Sequence, residues 1–283
     1  MLRVPPPREA RFRENRAMQR KNMKIRAGED ACAQVTCNDC GVFQLCAPFG
    51  VEENVDAVLD NIIKRRLTFR RGDLLYRMGQ PFDAVYAIRS GSVKTYVSTD
   101  DGRVQITGFH VPGELLGLNA MNSGIYTSEA RALETTAVCE VAVDQLEKLT
   151  RREPGLQRSM LRIMGEEIEH HEELMLLLGK KTAEERLATY LLSLSRRFAK
   201  RHFSATQFNL SMSRGDIGNY LGIAEETVCR ILTRFENDGL ANIRHRHVVL
   251  NDLDRLAALA HDHRGYLNRL TANRRGERVA ANS

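Results

Sequence analysis

The 283-residue sequence predicts an α+β fold: an N-terminal antiparallel β-roll, a long helix and a C-terminal winged helix-turn-helix. Three observations carry this expectation. Short apolar runs alternate with turn signals from Leu67 to Val143, a heptad repeat follows Pro154, and two helical patterns meet at a glycine turn between Ser213 and Asn237. A chain of this length can bury two modest cores joined by a connector. The divisions read from the sequence are a basic arm over 1–31, a cysteine-bearing loop with the β-roll over 32–153 and the long helix over 154–181. The winged helix-turn-helix follows over 182–263 and a polar tail over 264–283.

The β-roll is read from its punctuation. Arg71-Gly72-Asp73, Ser90-Gly91-Ser92, Asp100-Asp101-Gly102, Pro112-Gly113 and Asn122-Ser123-Gly124 are turn clusters, too closely spaced for an open parallel sheet. Val85–Ile88 and Val93–Val97, separated at Gly91, form the clearest pair of strands.

Beyond Pro154, Leu161, Met164, Ile168, His171, Met175 and Leu178 recur at alternating intervals of three and four, which is a heptad seam. Arg162, Glu166, Glu169, Glu173 and Lys180 occupy the other faces, so the seam is expected to meet one apolar surface, that of the same helix in a parallel homodimer. His171 is its polar interruption, of the kind that fixes register at a cost in stability. A second helical pattern, Thr182 to Phe203, places Leu187, Leu191 and Leu194 on one face and ends in Arg196, Arg197, Lys200 and Arg201, cations suited to a helix C-terminus.

The third pattern starts at a capping serine, Ser213, turns at Gly222 and continues from Ala224 to Asn237, stopping at Gly239. Ile217, Leu221 and Ile223 form the core between the two helices, and Val228, Ile231, Leu232 and Phe235 bury the second. Glu225, Glu226, Cys229, Arg230 and Arg234 remain on its outer face. Leu240 to Leu250 reads as a short hairpin wing. Such an outer face fits the major groove of double-stranded DNA. Arg230 can donate twice to guanine and Glu226 can accept from cytosine N4, while the thiol of Cys229 can touch a thymine methyl. Ser213, Arg214 and Thr227 are the expected phosphate contacts.

Composition sets the outer bounds. Apolar residues make up 42% and charged residues 28% of the chain, an ordinary globular balance. A net charge of +6 and a pI near 9.1 favour a polyanionic partner. No apolar run approaches the roughly 20 residues needed to cross a bilayer. The Arg-rich N-terminus carries Glu9, Glu14, Glu29 and Asp30 and lacks the apolar core of a secretory signal, so a cytoplasmic protein without a membrane partner is expected. No nucleophile–base constellation or phosphate-binding glycine loop suggests an enzyme.

Cytosolic cysteines in a cluster point to metal or redox chemistry rather than disulfides. Cys37-Asn38-Asp39-Cys40 with Cys46 gives C-x2-C-x5-C, three soft ligands that require a fourth. Cys139 lies at the end of a β run able to fold against that loop, and Cys32 falls outside the pattern. Spacing alone leaves an iron–sulfur cluster and a four-cysteine zinc site both open.

The C-terminal third resembles the winged helix-turn-helix of the cyclic-AMP receptor and FNR superfamily of bacterial transcription regulators. The similarity extends backwards through Arg70–Asp73, Tyr86–Gly91, Gln105–His110, Lys180–Leu187 and Arg214–Gly222, which are similar to the oxygen-responsive FNR branch; coverage runs from about Cys37 to Ala260. This resemblance implies a cyclic-nucleotide-binding-like β-roll acting as sensor. It also implies a [4Fe-4S] cluster on Cys37, Cys40, Cys46 and Cys139, dimerisation through the seam while the cluster is intact, and loss of the dimer on exposure to oxygen. It implies in addition a palindrome of TTGAT-like half-sites controlling anaerobic or microaerobic genes, and contact with RNA polymerase through loops such as Ser98–Arg103. Two departures matter. Nucleotide-binding relatives place an arginine for the cyclic phosphate where this chain has Glu129, so no cyclic nucleotide is expected. The FNR branch has serine where this chain has Cys229, which puts that base contact in doubt.

Overall fold

The computed structural model describes residues 63–152, 154–201 and 203–261. The basic arm, the tail and Cys32, Cys37, Cys40 and Cys46 lie outside them. The predicted α+β fold is borne out. The first domain is built from β1 (Ile63–Phe69), β2 (Leu74–Tyr76), β3 (Ala84–Ser90), β4 (Val93–Ser98), β5 (Val104–His110), β6 (Leu115–Leu116), β7 (Glu129–Ala132) and β8 (Thr136–Ala142). They form two four-stranded antiparallel sheets, ordered β1-β8-β3-β6 and β2-β7-β4-β5. Every residue of β8 is buried, as suits a central strand whose sequence is almost wholly apolar.

The expected pairing of Val85–Ile88 with Val93–Val97 is corrected. Both runs are strands, but β3 pairs with β8 and β6, whereas β4 pairs with β5 and β7. The chain changes sheets at Gly91, whose φ of 80° is open to glycine at little cost. A Cβ there would lie 2.5 Å from the Thr135 carbonyl oxygen, so the corner also needs the missing side chain. β3 is buried at five of its seven residues, whereas β4 sets Lys94 and Thr95 between the buried Val93 and Tyr96.

Helix α1 (Val143–Arg152) leads into α2 (Pro154–Lys180), the long seam helix. Its seam residues Leu161, Ile168 and Met175 are 63%, 60% and 67% exposed, and Met164, His171 and Leu178 are also exposed in the single chain. The other faces are occupied. Leu156 and Met160 join one apolar core with Val85, Ala87 and Cys139, and Leu177 joins the second core. Glu166 and Glu173, expected on a free face, pair instead with Lys200 (2.9 Å) and Arg196 (3.7 Å) of the following segment.

That segment is α3 (Ala183–Ala199) with its C-cap Lys200, and its first turn is closed by a capping box between Thr182 and Glu185. The C-terminal domain adds β9 (Gln207–Asn209), α4 (Arg214–Leu221), α5 (Glu225–Asn237), β10 (Ala241–Arg244), β11 (His247–Leu250) and α6 (Leu253–Leu259). The wing hairpin β10–β11 gains β9 as a third strand, a three-residue element with no period of its own. Leu187, Leu191, Ile217, Leu221, Val228 and Phe235 fill the domain's core, with Phe235 fully buried.

The turn between α4 and α5 rests on Gly222, a left-handed C-cap at φ 64°, and on the absence of a side chain at Gly218. A Cβ on Gly218 would sit 2.6 Å from the Ile223 carbonyl oxygen. Gly218→Ala is therefore expected to wedge the helices apart and cost about 1–3 kcal/mol, measured by denaturant unfolding.

Candidate functional site

The reading face is assembled at the second helix of the pair. Glu226, Cys229 and Arg230 are exposed on α5, while Val228, Ile231, Leu232 and Phe235 on the inner face are buried. Among the described residues no ion pair joins Glu226 to Arg230, so both side chains are available to another partner. Arg234, placed on the same outer face by the sequence, is held by Glu184 of α3 at 2.9 Å.

Ser213, Arg214 and Thr227 surround the same face from the start of α4 and the first turn of α5. The Ser213 hydroxyl accepts from the Asp216 amide at 3.0 Å, and the Asp216 carboxylate accepts from the Ser213 amide at 3.3 Å. The hydroxyl proton is left to donate, as a phosphate contact requires. Arg214 donates one N–H to the His245 carbonyl oxygen at 3.0 Å, tying the helix to the wing tip. That tip exposes Arg244, His245 and Arg246, with His245 at φ 55°. The alternation of apolar and basic residues over Leu240 to Leu250 marks this wing in the sequence, and two arginines flanking the hairpin turn are its signal for a DNA contact.

Cys139 lies on β8, opposite Arg66 of β1 and Ala87 of β3, and is 2% exposed. Its thiol belongs to the core that includes the first turns of α2. A thiolate donor in an apolar shell suits a soft-metal group, because such a shell restricts water and tunes the centre. Among the described residues no three His, Cys, Asp or Glu side chains gather into a metal site, so a centre on Cys139 must draw its other ligands from elsewhere in the chain. β1, the first described strand after the C-x2-C-x5-C segment, lies directly beside β8.

A cleft of about 640 Å³ separates the β-roll from α2 and the end of α3. On its wall Glu114 accepts from Arg197 at 2.8 Å and 2.5 Å and from the Val111 amide at 3.0 Å, and Arg201 approaches to 3.3 Å. Burial alone would raise the Glu114 pKa, but the Arg197 and Arg201 guanidiniums outweigh it and hold the carboxyl at about 2. Glu129 accepts from the Tyr96 hydroxyl at 2.5 Å, and Arg131 donates to that hydroxyl at 2.9 Å.

A β-roll joined through a long helix to a winged helix-turn-helix with an open reading face defines a DNA-binding transcription regulator. Comparison with known proteins agrees. Residues 66–153 match the cyclic nucleotide-binding domain family and residues 185–259 the Crp-like helix-turn-helix domain. The transcriptional activator protein anr of Pseudomonas aeruginosa is 47% identical over 241 residues, covering 85% of this chain and 97% of that protein. The fumarate and nitrate reduction regulatory protein of Escherichia coli is 45% identical over 237 residues, 84% of this chain and 94% of its own. The solved structure of FixK2 from Bradyrhizobium japonicum superposes with a TM-score of 0.63 at 37% identity, covering 69% of this chain and 96% of that one. The chain belongs to the FNR branch of the cyclic-AMP receptor/FNR superfamily.

Proposed function

We propose that this regulator is oxygen-responsive, holds a [4Fe-4S] cluster on Cys37, Cys40, Cys46 and Cys139, and binds a palindromic FNR-type site as a cytoplasmic homodimer to control anaerobic or microaerobic genes. The observation that carries the reading is the course of α2. Its first turns share a core with Cys139, its middle exposes an unpartnered apolar seam, and its end enters the core of the DNA-binding domain. One helix thus links the core around Cys139, the exposed apolar seam and the core of the DNA-binding domain.

The bound cluster supplies the oxygen-reactive centre. The chain's own part is mechanical: Cys139 anchors the cysteine segment to β8, Leu156 and Met160 report its state to α2, and Leu161 to Leu178 form the seam. The Ser98–Arg103 turn, at the tip of the β4–β5 hairpin, is the proposed contact with RNA polymerase. A cyclic nucleotide is not the signal in this reading, because Glu129, hydrogen-bonded to Tyr96, stands where the resemblance gives nucleotide-binding relatives an arginine for the phosphate.

Purification without oxygen followed by absorption spectroscopy tests the sensing role. A broad visible band that changes in air is expected; a colourless zinc protein would leave a constitutive regulator of the same fold. For the reading face, Glu226→Ala and Arg230→Ala are each expected to cost about 1–3 kcal/mol of discrimination between the cognate half-site and one altered at the contacted pair. Competition binding with base-substituted duplexes measures it, and equal losses on every duplex would place these residues outside base reading.

A further inference from the structure

We infer that Asn219 is a positioning residue for DNA reading: its side-chain amide pairs with the open edge of β5 and sets the angle at which the β-roll carries the helix-turn-helix. The half-site spacing a dimer accepts would follow from that angle. This role rests on the proposed dimer on a palindrome.

β5 is an edge strand, and an edge presents unpaired N–H and C=O groups in a row. Asn219, in the last turn of α4, takes up two of them. Its Oδ1 accepts from the Ile106 amide at 2.6 Å, and its Nδ2 donates to the Val104 carbonyl at 2.8 Å. These groups flank Gln105 on one side of the strand, so the planar amide imitates the paired contacts of a neighbouring strand. Gln105 returns the bond, its Nε2 donating to the Asn219 carbonyl at 3.0 Å. The strand is irregular at this point: Thr95 pairs with Gly108 and Tyr96 with Ile106, leaving Thr107 as a bulge residue that bends the edge.

Three planar contacts define an orientation and not merely a distance. Further along the same boundary, Lys94 pairs with Asp216 at 2.5 Å and the Ser92 and Ser211 hydroxyls meet at 2.5 Å. Behind them Phe109 packs against Tyr220, ring centroids 5.2 Å apart. The apolar contact holds the domains together without direction; the hydrogen bonds supply the direction. The reading residues Glu226, Cys229 and Arg230 stay exposed in this arrangement, so it presents the face to DNA and does not block it. Because Gly218 locks α4 closely to α5, a rotation at Asn219 passes directly to the recognition helix.

One base pair added between half-sites moves the second by about 3.4 Å and turns it by about 35°. A rigidly carried head resists that change; a loosely carried one follows it. The test uses the full-length, cluster-loaded protein prepared without oxygen. Its probes are duplexes bearing two TTGAT half-sites at the optimal spacing, the same with one base pair added or removed, and a single half-site. Asn219→Ala is expected to reduce the preference for the optimal spacing about tenfold, the equivalent of one or two directional hydrogen bonds, with single half-site affinity unchanged. Gln105→Ala, which lies on the β-roll and outside the helix-turn-helix, is expected to reduce it in the same direction and stands in if Asn219→Ala does not fold. A parent protein that binds one half-site as tightly as two removes the dimer reading and this role with it. A parent with a sharp optimum that both variants share removes the role alone, as does an equal loss on every duplex.

Discussion

Glu114→Gln is expected to cost about 3–5 kcal/mol of folding stability, a large share of what holds a domain of this size together. The carboxylate pairs with two arginines, Arg197 and Arg201, whose guanidiniums are largely buried. Glutamine keeps one carbonyl acceptor for Arg197 beside that of Phe109, but it removes the paired negative charge and turns an amide NH2 towards a group that can only donate. The cost comes from that uncompensated cation more than from any intrinsic strength of the pair. Denaturant unfolding reads it as a lower midpoint with an unchanged slope. A Glu114→Leu, Arg197→Met, Arg201→Met triple variant should recover much of the loss, since an apolar trio strands neither guanidinium. Failure of that recovery would assign the effect to packing.

The same cluster gives the protein a defined acid sensitivity. His110, beside Glu114, is held at about 4 by burial, with Arg197 and His171 pushing the same way and Glu114 opposing them. Both groups have folded values below their unfolded ones, so each contributes stability at neutral pH and loses it on acidification. His110 acts as pH falls from about 6.5 to 4, and Glu114 from about 4.5 to 2. His110→Gln is expected to flatten the upper part of the stability profile and leave the lower part in place.

Cys139→Ala is the second large effect, and it falls on function. The variant is expected to lack the visible absorption band, to sediment as a monomer, and to bind the palindrome about a thousandfold more weakly, close to non-specific affinity. Its fold should survive, because alanine leaves only a small void in the apolar core of β8. Circular dichroism with anaerobic binding measurements separates the two. A Cys139→Ala protein that keeps the band would move the fourth ligand elsewhere, and a Cys229→Ala control should keep it.

Much of this architecture is legible in one dimension where the determining forces are local. Ser213, Gly218 and Gly222 announce the helix-turn-helix because capping and a left-handed turn depend on neighbours a few residues away. The seam of α2 is legible for the same reason. What periodicity does not carry is which strand lies beside which: Val85–Ile88 and Val93–Val97 look like a hairpin until Gly91 turns the chain into the opposite sheet. Arg197 reads as a cation at a helix end, and only folding brings Glu114, far away in sequence, against it. Asn219 sits inside a recognised motif, yet its partners belong to β5, a strand of the other domain. The wing's third strand is too short to show a period at all.

Helix α2 has three commitments around its circumference: Leu156, Met160 and Leu177 inward, Glu166 and Glu173 towards α3, and the seam outward. Its length is therefore as constrained as its composition. Each residue advances an α-helix by about 100° and 1.5 Å. A single insertion between Met164 and Glu167 would bring Glu167 and His170 into the sector that Ile168 and His171 hold, and turn Ile168 and Met175 out of it. A change of count is therefore expected to disturb this helix more than a substitution on any one of its faces.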